Sequence, residues 1–442
     1  MPRRPQLADA EPGGVWRIVP RREQRSAYPH HAITDRTMRI LIHCNEYYPN
    51  PVAGSYRMQV FAETFKALGN DVVVLTSSAN KAMGVFDKEA RKEKVIYSPA
   101  FSMRRKTTLK RMLNNISFGL TSIFAALFVG SVDVVITTSP PALASIPGWF
   151  IARFKRAKLV YDVRDIWPEV ALEMGSFSER SFYCKVFRFI TGFMYKHADI
   201  ITTVSPGKFE KIKNHVIARP GRKSGPGHID KVWIVGNGFD EGIMKCEFDQ
   251  AIVDQYELDK KFTCVYIGNI GLAQGLGTLL NLAAKTKHRE IQFLCFGMGA
   301  EQEMLEKRVA DEGLTNVRFC GPIERSKVFS ILSHAKVSFV PLKSRNMTDS
   351  VPTKVYEALG IGCPVFLVAE GDSAALVDET GLGGHVPPEE LEKQVEVFDD
   401  MVDRYCELMP LKDKTARLID DKYSRQKITA EFERKLRELC GK

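Results

Sequence analysis

Apolar and polar residues recur along the chain in a strand, loop, helix and strand order that begins at Met38. Met38-Arg-Ile-Leu-Ile-His-Cys44 has the continuous apolar character of a buried strand. Apolar residues then recur at helical spacing at Val60, Phe61 and Phe65, and a second apolar strand begins at Asp71. A strand, a helix and a strand within about 40 residues predict a parallel α/β sheet.

This pattern is interrupted once and then starts again, so we expect two α/β domains. The first 37 residues are rich in Pro and Arg without an apolar period, which predicts disorder, or a segment upstream of a start at Met38. The predicted parts are a leader (1–37), an N-terminal Rossmann-like domain (38–218), a Gly- and Pro-rich linker (219–229), a C-terminal Rossmann-like domain (230–420) and a final amphipathic helix (424–440).

The stretch Asp349-Ser-Val-Pro-Thr-Lys-Val-Tyr-Glu357 follows an apolar strand and opens a helix. Pro352 suits the first helical position, with Ser350 as the N-cap. A helix N-terminus facing a loop favours a phosphate, and Lys354 adds a positive charge in the first turn. Glu357 lies three residues on, where a carboxylate can accept two ribose hydroxyls. An ordinary capped βαβ unit with a surface Lys–Glu pair has the same pattern.

Two further motifs follow predicted strands. Asp162-Val-Arg-Asp165 comes at the carboxyl end of a strand, where open α/β sheets place their ligands. A local ion pair of Arg164 with one of the two Asp residues is the alternative. Gly268-Asn-Ile-Gly-Leu-Ala-Gln-Gly275 is a glycine-rich turn after another strand. The loop after the first strand lacks G-x-G-x-x-G, which disfavours a dinucleotide-dependent oxidoreductase.

The formal net charge of +10 and the pI of about 9.0 need an explanation. Candidates are nucleic acid, an anionic membrane surface and phosphorylated substrates. Nucleic acid ranks last, because the basic residues are dispersed and no nucleic-acid-reading motif is present. Nine Cys without C-x-x-C or zinc-ligand spacing predict a reducing, cytoplasmic compartment.

No apolar run reaches the ~18–20 residues needed to span a bilayer, and the leader lacks the apolar region of a secretory signal. The stretch 104–130 nevertheless combines basic residues with Ile116–Gly130, a helix-like run that is apolar all round. Such a helix is either buried or placed in a membrane interface. Its basic residues favour peripheral contact with anionic lipid, and they are Arg104, Arg105, Lys106, Lys110 and Arg111.

The chain resembles GT-B glycosyltransferases of family 4. Within these it is similar to bacterial L-fucosamine (N-acetyl-L-fucosamine) transferases of O-antigen and capsule biosynthesis. The resemblance rests on Tyr161–Pro168, Gly268–Gly275 and Pro352–Leu359, and it runs from Met38 nearly to the end. It implies two Rossmann-like domains facing across a cleft, with the last helix crossing back to the first domain. It also implies retaining transfer without a metal or cofactor.

The resemblance assigns roles to individual residues. Glu357 would hold the ribose, Lys354 and the helix start would neutralise the diphosphate, and Gly54 and Ser55 would line the cleft from the N-terminal side. Catalytic candidates are Asp162, Arg164 and Asp165, and the acceptor base is open between the two carboxylates and the leaving phosphate oxygen. The implied donor-binding residues are Gly268, Asn269, Gln274, Gly275, Gly321, Ile323, Asp349, Ser350, Thr353, Lys354 and Glu357.

The chain departs from the family pattern at several positions. Many members carry Glu where this chain has Asp349, and Arg and Lys where it has Asn269 and Gln274. The His usual in the N-terminal cleft is not evident. Lys354 and Arg164 are therefore expected to stabilise more of the charge on the leaving diphosphate.

The expected activity is transfer of a sugar, of the N-acetylated deoxyhexosamine class, from a UDP-sugar to a lipid-linked glycan. The expected location is cytoplasmic, at the inner leaflet of the plasma membrane. A nucleotide-sugar epimerase or hydrolase of the same fold is the alternative. A non-catalytic scaffold is disfavoured by the acidic pairs 162/165 and 349/357.

Overall fold

The protein is described here by a computed structural model that covers residues 37–48, 50, 52–83, 93–101, 108–173, 178–217 and 231–442. The predicted linker (219–229), the predicted leader except for Thr37, and Arg104, Arg105 and Lys106 lie outside the described residues. Two parallel β-sheets organise the rest, one with seven strands and one with six. This confirms the predicted α/β class with two Rossmann-like domains.

The first sheet has the strand order β3-β2-β1-β4-β5-β6-β7, with every pair parallel. Its strands are β1 (Arg39–Cys44), β2 (Asp71–Ser77), β3 (Lys94–Ser98), β4 (Val134–Ser139), β5 (Lys158–Val163), β6 (Ile200–Thr203) and β7 (Val232–Ile234). Its helices are α1 (Ala53–Ala67), α2 (Thr108–Ala125), α3 (Ser145–Lys155), α4 (Glu169–Glu173), α5 (Phe182–His197) and α6 (Pro206–Ile217). Because β7 belongs to this sheet, the predicted domain boundary at residue 230 falls one strand too early.

The second sheet has the strand order β10-β9-β8-β11-β12-β13 and is also parallel throughout. Its strands are β8 (Thr263–Ile267), β9 (Gln292–Phe296), β10 (Val317–Gly321), β11 (Val337–Pro341), β12 (Val365–Val368) and β13 (Gly383–Val386). The helices are α7 (Gln250–Gln255), α8 (Gly277–Lys285), α9 (Gln302–Asp311), α10 (Arg325–His334), α11 (Thr353–Ile361), α12 (Asp372–Thr380), α13 (Leu391–Asp403), α14 (Tyr405–Leu408), α15 (Lys412–Tyr423) and α16 (Arg425–Cys440). Apolar clusters lie on both faces of each sheet, which is why the central strands are apolar without alternation.

The last helix, α16, packs on the N-terminal domain, as predicted. Ser424 caps it by accepting a hydrogen bond from the Lys427 N–H at 3.2 Å. The Phe432 ring lies 5.5 Å from that of Phe61 and 5.9 Å from that of Phe65, both on α1. The end of the chain therefore contributes to the core of the first domain.

The chain passes between the two domains twice, and the two passages are hydrogen-bonded to each other. The Phe239 N–H donates to the Tyr423 carbonyl at 2.7 Å, and the Arg425 N–H donates to the Phe239 carbonyl at 2.8 Å. The Arg425 side chain donates to the carbonyls of Asn237 and Gly238. We call this paired segment, residues 235–240 with 423–425, the interdomain crossover.

Three helices of the N-terminal domain pack side by side and expose apolar residues. A Cβ added at Gly119 of α2 would lie 2.8 Å from Pro147 of α3, and the Trp149 ring of α3 lies 4.9 Å from that of Phe193 on α5. The exposed apolar residues of these helices and of the turn after α2 form what we call the three-helix face: Leu113, Ile116, Leu120, Phe124, Leu127, Phe128, Phe150, Phe154, Phe182, Tyr183 and Phe189.

The α2 helix is buried on one side only, through Asn114, Phe118 and Ser122, so the reading of Ile116–Gly130 as wholly buried is wrong. Along their whole length α2, α3 and α5 carry basic residues and no acidic one. Those basic residues are Lys110, Arg111, Arg153, Lys155, Lys185, Arg188 and Lys196. Among the described residues, none of the helices has both the length and the apolar character that crossing a membrane requires.

Candidate active site

The glycine-rich turn after β8 is held by a second pair of glycines after β9. Gly268 has φ +151° and its N–H donates to the Phe296 carbonyl at 2.9 Å. A Cβ added at Gly297 would lie 1.8 Å from the Gly268 carbonyl oxygen, and one at Gly299 would lie 2.0 Å from the Ile270 carbonyl oxygen. Only glycine permits this approach. The glycines at 297 and 299 therefore let the backbone after β9 pack directly against the glycine-rich turn.

Lys354 lies against that turn. Its Nζ is 4.0 Å from the centroid of the Tyr266 ring and 3.4 Å from the Gln274 Oε1. A Cβ added at Gly268 would lie 3.2 Å from the same Nζ. No described carboxylate forms a salt bridge with it. Burial lowers the pKa of Lys354 to about 7, against a weaker opposing effect of Glu357. The ammonium group is thus held in a confined place without a bonded counter-charge.

The start of α11 differs from the prediction. The helix begins at Thr353, and Pro352 is its N-cap with φ −60° and ψ 139°, without a side-chain cap. The extended ψ keeps Pro352 outside the helix, so it does not occupy the first helical position. Ser350 is not the N-cap either, because its carbonyl accepts from the Ser373 hydroxyl and its Oγ lies 3.4 Å from the Lys208 Nζ. The first N–H groups of α11 remain the helix-end donors for which a phosphate is suited.

Glu357 is held by an arginine that sequence reasoning missed. The Arg325 Nη1 donates to the Glu357 Oε1 at 2.9 Å, and the Arg325 Nη2 donates to the Asp240 Oδ2 at 2.9 Å. Within the described part of the chain, no group donates a hydrogen bond to the second Glu357 oxygen. The guanidinium also lies 5.0 Å from the ring centroid of Tyr56, on α1 of the other domain.

Asp349 connects the two domains. Its carboxylate lies 2.8 Å from the Lys211 Nζ and 3.3 Å from the Lys208 Nζ, both on α6 of the N-terminal domain. Its carbonyl accepts from the Ser205 hydroxyl at 2.7 Å. Burial would raise the pKa of Asp349, but the two ammonium groups outweigh it and hold the pKa below its usual range. A contact of the Asp349 carboxylate with a nucleotide-sugar donor stays a prediction, and it requires these ion pairs to rearrange.

Asp162 is fully buried, and its predicted contact with an acceptor is wrong. Its Oδ1 accepts from the Arg57 Nη2 and the Thr202 hydroxyl, both at 2.8 Å, and its Oδ2 accepts from the Thr138 hydroxyl at 3.1 Å. Burial would raise the pKa of Asp162, but Arg57 outweighs it and keeps the carboxyl ionised. With both oxygens bonded inside the domain, Asp162 stabilises Arg57 instead of orienting a substrate.

Arg164 lies beside the predicted acceptor loop. Its Nε donates to the Thr138 hydroxyl at 3.1 Å and its Nη2 donates to the Pro140 carbonyl at 2.7 Å. A Cβ added at Gly54 would lie 1.9 Å from the Arg164 Nη1, so the guanidinium covers the start of α1. The alternative of a local ion pair between Arg164 and one of the two Asp residues is not found among the described residues. Ser55 is buried and Asp165 is partly exposed.

The remaining predicted donor residues flank the same turn. Asn269 is exposed, and its carbonyl accepts from the Tyr266 hydroxyl at 2.5 Å. Gly275 has φ +62° and packs against Lys343. The Gly321 carbonyl accepts from the Gly297 N–H at 2.8 Å, which brings the end of β10 next to the end of β9. Ile323 is partly buried and packs against the domain core.

Comparisons with known proteins find similarity to glycosyltransferases. The family described as "Glycosyl transferases group 1" matches residues 248–420. A probable glycosyltransferase, WbjE of Pseudomonas aeruginosa, is 24% identical over 66% of this chain and 73% of its own. A putative colanic acid biosynthesis glycosyl transferase, WcaI of Escherichia coli strain K12, is also 24% identical, over 75% of this chain and 84% of its own.

Solved structures share the fold at lower identity. HepE of Anabaena, in complex with UDP, matches 91% of this chain and 100% of its own with a TM-score of 0.69 and 14% identity. The sucrose-phosphate synthase of Thermosynechococcus elongatus matches 91% and 99% with a TM-score of 0.73 and 16% identity. WaaG, a glycosyltransferase involved in lipopolysaccharide biosynthesis, matches 91% and 100% with a TM-score of 0.66 and 13% identity. The protein thus has the GT-B fold, and the match of residues 248–420 together with the two glycosyltransferase relatives shows that it is a transferase enzyme.

Proposed function

We propose that the protein is a retaining glycosyltransferase that moves a sugar from a UDP-sugar to a lipid-linked glycan in bacterial surface polysaccharide synthesis. The observation that carries the proposal is the Lys354 ammonium group, which lies against the Gly268 turn without a bonded carboxylate. A confined cation beside a helix start and a glycine turn is suited to a diphosphate. Metal- and cofactor-independence is part of the proposal and rests on family resemblance.

The choice of UDP and of the acceptor class draws on relatives. HepE of Anabaena has been solved with UDP and with UDP-glucose. WcaI is named for colanic acid biosynthesis, and WaaG for lipopolysaccharide biosynthesis. The assignment of the sugar as an N-acetylated deoxyhexosamine rests only on the resemblance to L-fucosamine transferases.

In this proposal each residue has a distinct role. Lys354 and the first N–H groups of α11 stabilise the negative charge that develops on the leaving diphosphate. Glu357 accepts the ribose hydroxyls through the oxygen that Arg325 does not occupy. Arg164 lies on the N-terminal side of the cleft, next to Gly54. The acceptor proton goes either to Asp165 or to the leaving phosphate oxygen, since Asp162 is not accessible.

The three-helix face supports contact with an anionic membrane. Large exposed apolar patches on soluble domains mark interaction surfaces. Here the patch is flanked by basic residues on the same three helices, with no acidic residue among them, which is complementary to anionic lipid headgroups. The surface is wider than the predicted 104–130 stretch, because α3 and α5 contribute Phe150, Phe154, Phe182 and Phe189. A lipid-linked acceptor at the inner leaflet would lie next to it.

A donor screen tests the proposed activity. Thermal shift with UDP, GDP and ADP should raise the melting temperature with UDP most, because a ligand that binds only the native state stabilises it. Transfer should need both donor and acceptor and should continue in EDTA. Conversion of the donor without an acceptor would favour the epimerase or hydrolase alternative. An absence of binding to any nucleoside diphosphate would contradict the proposal.

Vesicle co-sedimentation tests the membrane contact. Wild-type protein should sediment with phosphatidylglycerol vesicles more than with phosphatidylcholine vesicles, and salt should weaken the binding. The double variant Phe124→Glu with Phe128→Glu should remain in the supernatant. Met244→Glu with Met304→Glu is the matched control, because these exposed residues lie in the second domain. Equal sedimentation of the two double variants would contradict the membrane contact.

A further inference from the structure

Arg325 is the centre of a row of alternating charges that runs from the donor side to the interdomain crossover. One guanidinium nitrogen bonds Glu357 and the other bonds Asp240, each at 2.9 Å. Asp240 in turn lies 3.9 Å from the Arg425 Nη1. The four side chains carry two positive and two negative charges, so each charge has an opposite neighbour.

Asp240 is itself well fixed. Its Oδ1 accepts from the Gly242 N–H at 3.0 Å and from the Gln426 Nε2 at 3.3 Å. Burial would raise the pKa of Asp240, but Arg425 and Arg325 outweigh it, and the carboxyl stays ionised. Asp240 directly follows Phe239, which is hydrogen-bonded to both ends of the second passage between the domains. The Arg325 guanidinium is therefore hydrogen-bonded, through Asp240, to the interdomain crossover.

The other face of the guanidinium meets the N-terminal domain. The Tyr56 ring lies 5.0 Å from the Arg325 guanidinium carbon, and Tyr56 follows Gly54 and Ser55 in the first turn of α1. A guanidinium within about 6 Å of an aromatic ring centroid is attracted to the face of the ring. Arg325 thus contacts both domains as well as Glu357.

We propose that Arg325 is a positioning residue for the nucleoside: it fixes the Glu357 carboxylate so that its second oxygen receives the ribose hydroxyls. The inference rests on the proposed function, which places the ribose at Glu357. Fixing the carboxylate beforehand removes the rotamer freedom that binding would otherwise have to remove. Because the same guanidinium is bonded to the crossover, the orientation of Glu357 is coupled to the arrangement of the two domains.

The planar fork is essential to this role. A guanidinium presents several N–H donors in fixed directions and bonds two carboxylates at once, whereas an ammonium group is a point charge on a flexible chain. Arg325→Lys keeps the charge but should not hold Glu357 and Asp240 together. Arg325→Met removes both the charge and the bonds.

The test compares the binding of UDP and 2′,3′-dideoxy-UDP by calorimetry. Wild-type protein should prefer UDP by about tenfold or more, because hydrogen bonds to a charged carboxylate are worth about 1.5–3 kcal/mol. In Arg325→Met the ratio of the two dissociation constants should fall to near one, and in Arg325→Lys to well below the wild-type value. Arg404→Met, which removes an exposed arginine in the same domain, should retain the wild-type ratio.

The ratio separates a positioning role from a structural one. If Arg325 only stabilised the fold, its loss would weaken both ligands equally, and an unchanged ratio in either Arg325 variant would overturn the inference. If Arg325→Met does not fold, Arg325→Lys decides. A wild-type protein that binds UDP without any ribose preference would also overturn it. A wild-type protein that binds no UDP at all would refute the proposed function itself.

Discussion

Each of the two domains holds a basic side chain in a confined place, but only one of these side chains has a bonded counter-ion. Arg57 in the N-terminal domain is buried, paired with Asp162 at 2.8 Å, and donates to the carbonyls of Val235 and Gly236 at 2.8 and 3.1 Å. Lys354 in the C-terminal domain has a glutamine oxygen at 3.4 Å and an aromatic ring. The first charge is fully compensated, and the second is not.

A charge with a bonded counter-ion stabilises the fold, whereas we expect a confined charge without a counter-ion to bind a ligand. A buried ion with a bonded counter-ion and satisfied hydrogen bonds can be stable without any substrate. A confined cation without a bonded counter-ion has a lowered pKa. A strongly shifted pKa is often a sign of a functional group. Arg57 and Asp162 therefore belong to the architecture of the crossover, and Lys354 is the residue that we propose to bind the diphosphate.

The largest expected effect is the loss of stability when the ion pair between Arg57 and Asp162 is broken. Asp162→Asn leaves the Arg57 charge buried without a counter-ion, and this should lower the free energy of unfolding by about 3–5 kcal/mol. Urea denaturation measures it. The remaining folded protein should keep its affinity for UDP. A loss below about 1 kcal/mol would show that the pair is not the structural element described above.

The second effect falls on activity and not on stability. Lys354→Met should reduce the rate of transfer by about 100- to 1000-fold, the cost of removing one group that stabilises transition-state charge. The free energy of unfolding should stay the same or rise, because a confined charge without a bonded counter-ion is removed. Steady-state kinetics and urea denaturation measure the two quantities. Lys422→Met, at an exposed lysine, is the control, and equal activity in both variants would contradict the assignment.

The backbone of the Gly268 turn lies against Lys354, and a change there should have the third-largest effect. Gly297→Ala would place a Cβ 1.8 Å from the Gly268 carbonyl oxygen at φ +146°, so we expect a loss of about 1–3 kcal/mol and weaker UDP binding. Gly313→Ala is the matched control, since Gly313 also has a positive φ, of +63°, but has no atom within 4 Å of the added Cβ. The control should lose stability without losing UDP affinity. Equal UDP affinity in the two variants would contradict the close packing of the turns.

The smallest effect is expected at Asp349, where Asp349→Asn should cost about 1 kcal/mol because some hydrogen bonds remain. The pKa of Asp349 lies lower in the folded than in the unfolded protein. Its stabilising contribution is therefore present above the unfolded pKa of about 3.9 and lost as the pH falls through the folded value. Urea denaturation of both proteins from about pH 6 to about pH 3 should show the difference vanish in acid. A difference that grows in acid would contradict the ion pairs with Lys208 and Lys211.

The grouping of the proposed donor-binding residues around the Gly268 turn was largely predictable because its signals are local in the chain. The glycines of the Gly268 turn mark backbone that approaches closely, and the structure brings Lys354 and Gln274 to that turn. The three-residue spacing from Lys354 to Glu357 follows from helix geometry. Central strands were predictable because burial on both faces makes them continuously apolar.

The rest depended on partners far apart in the chain. Arg57 and Asp162 are separated by 105 residues, and Arg325 and Glu357 by 32, so no local pattern indicates either pair. For this reason Asp162 was assigned to catalysis when it has a structural partner. The short strands β3, β7 and β13 were missed because none of them has an apolar run longer than three residues; β13, for example, reads Gly-Gly-His-Val.

Lys354 is the residue that we propose to bind the diphosphate, and the pH dependence of UDP affinity tests this role most directly. Since the pKa of unliganded Lys354 is about 7, calorimetry from about pH 7 to about pH 9 should show wild-type affinity falling by up to tenfold per pH unit. Lys354→Arg, which stays charged over this range, should bind with little pH dependence. Wild-type affinity that does not change with pH, together with equally tight binding by Lys354→Met, would contradict the account.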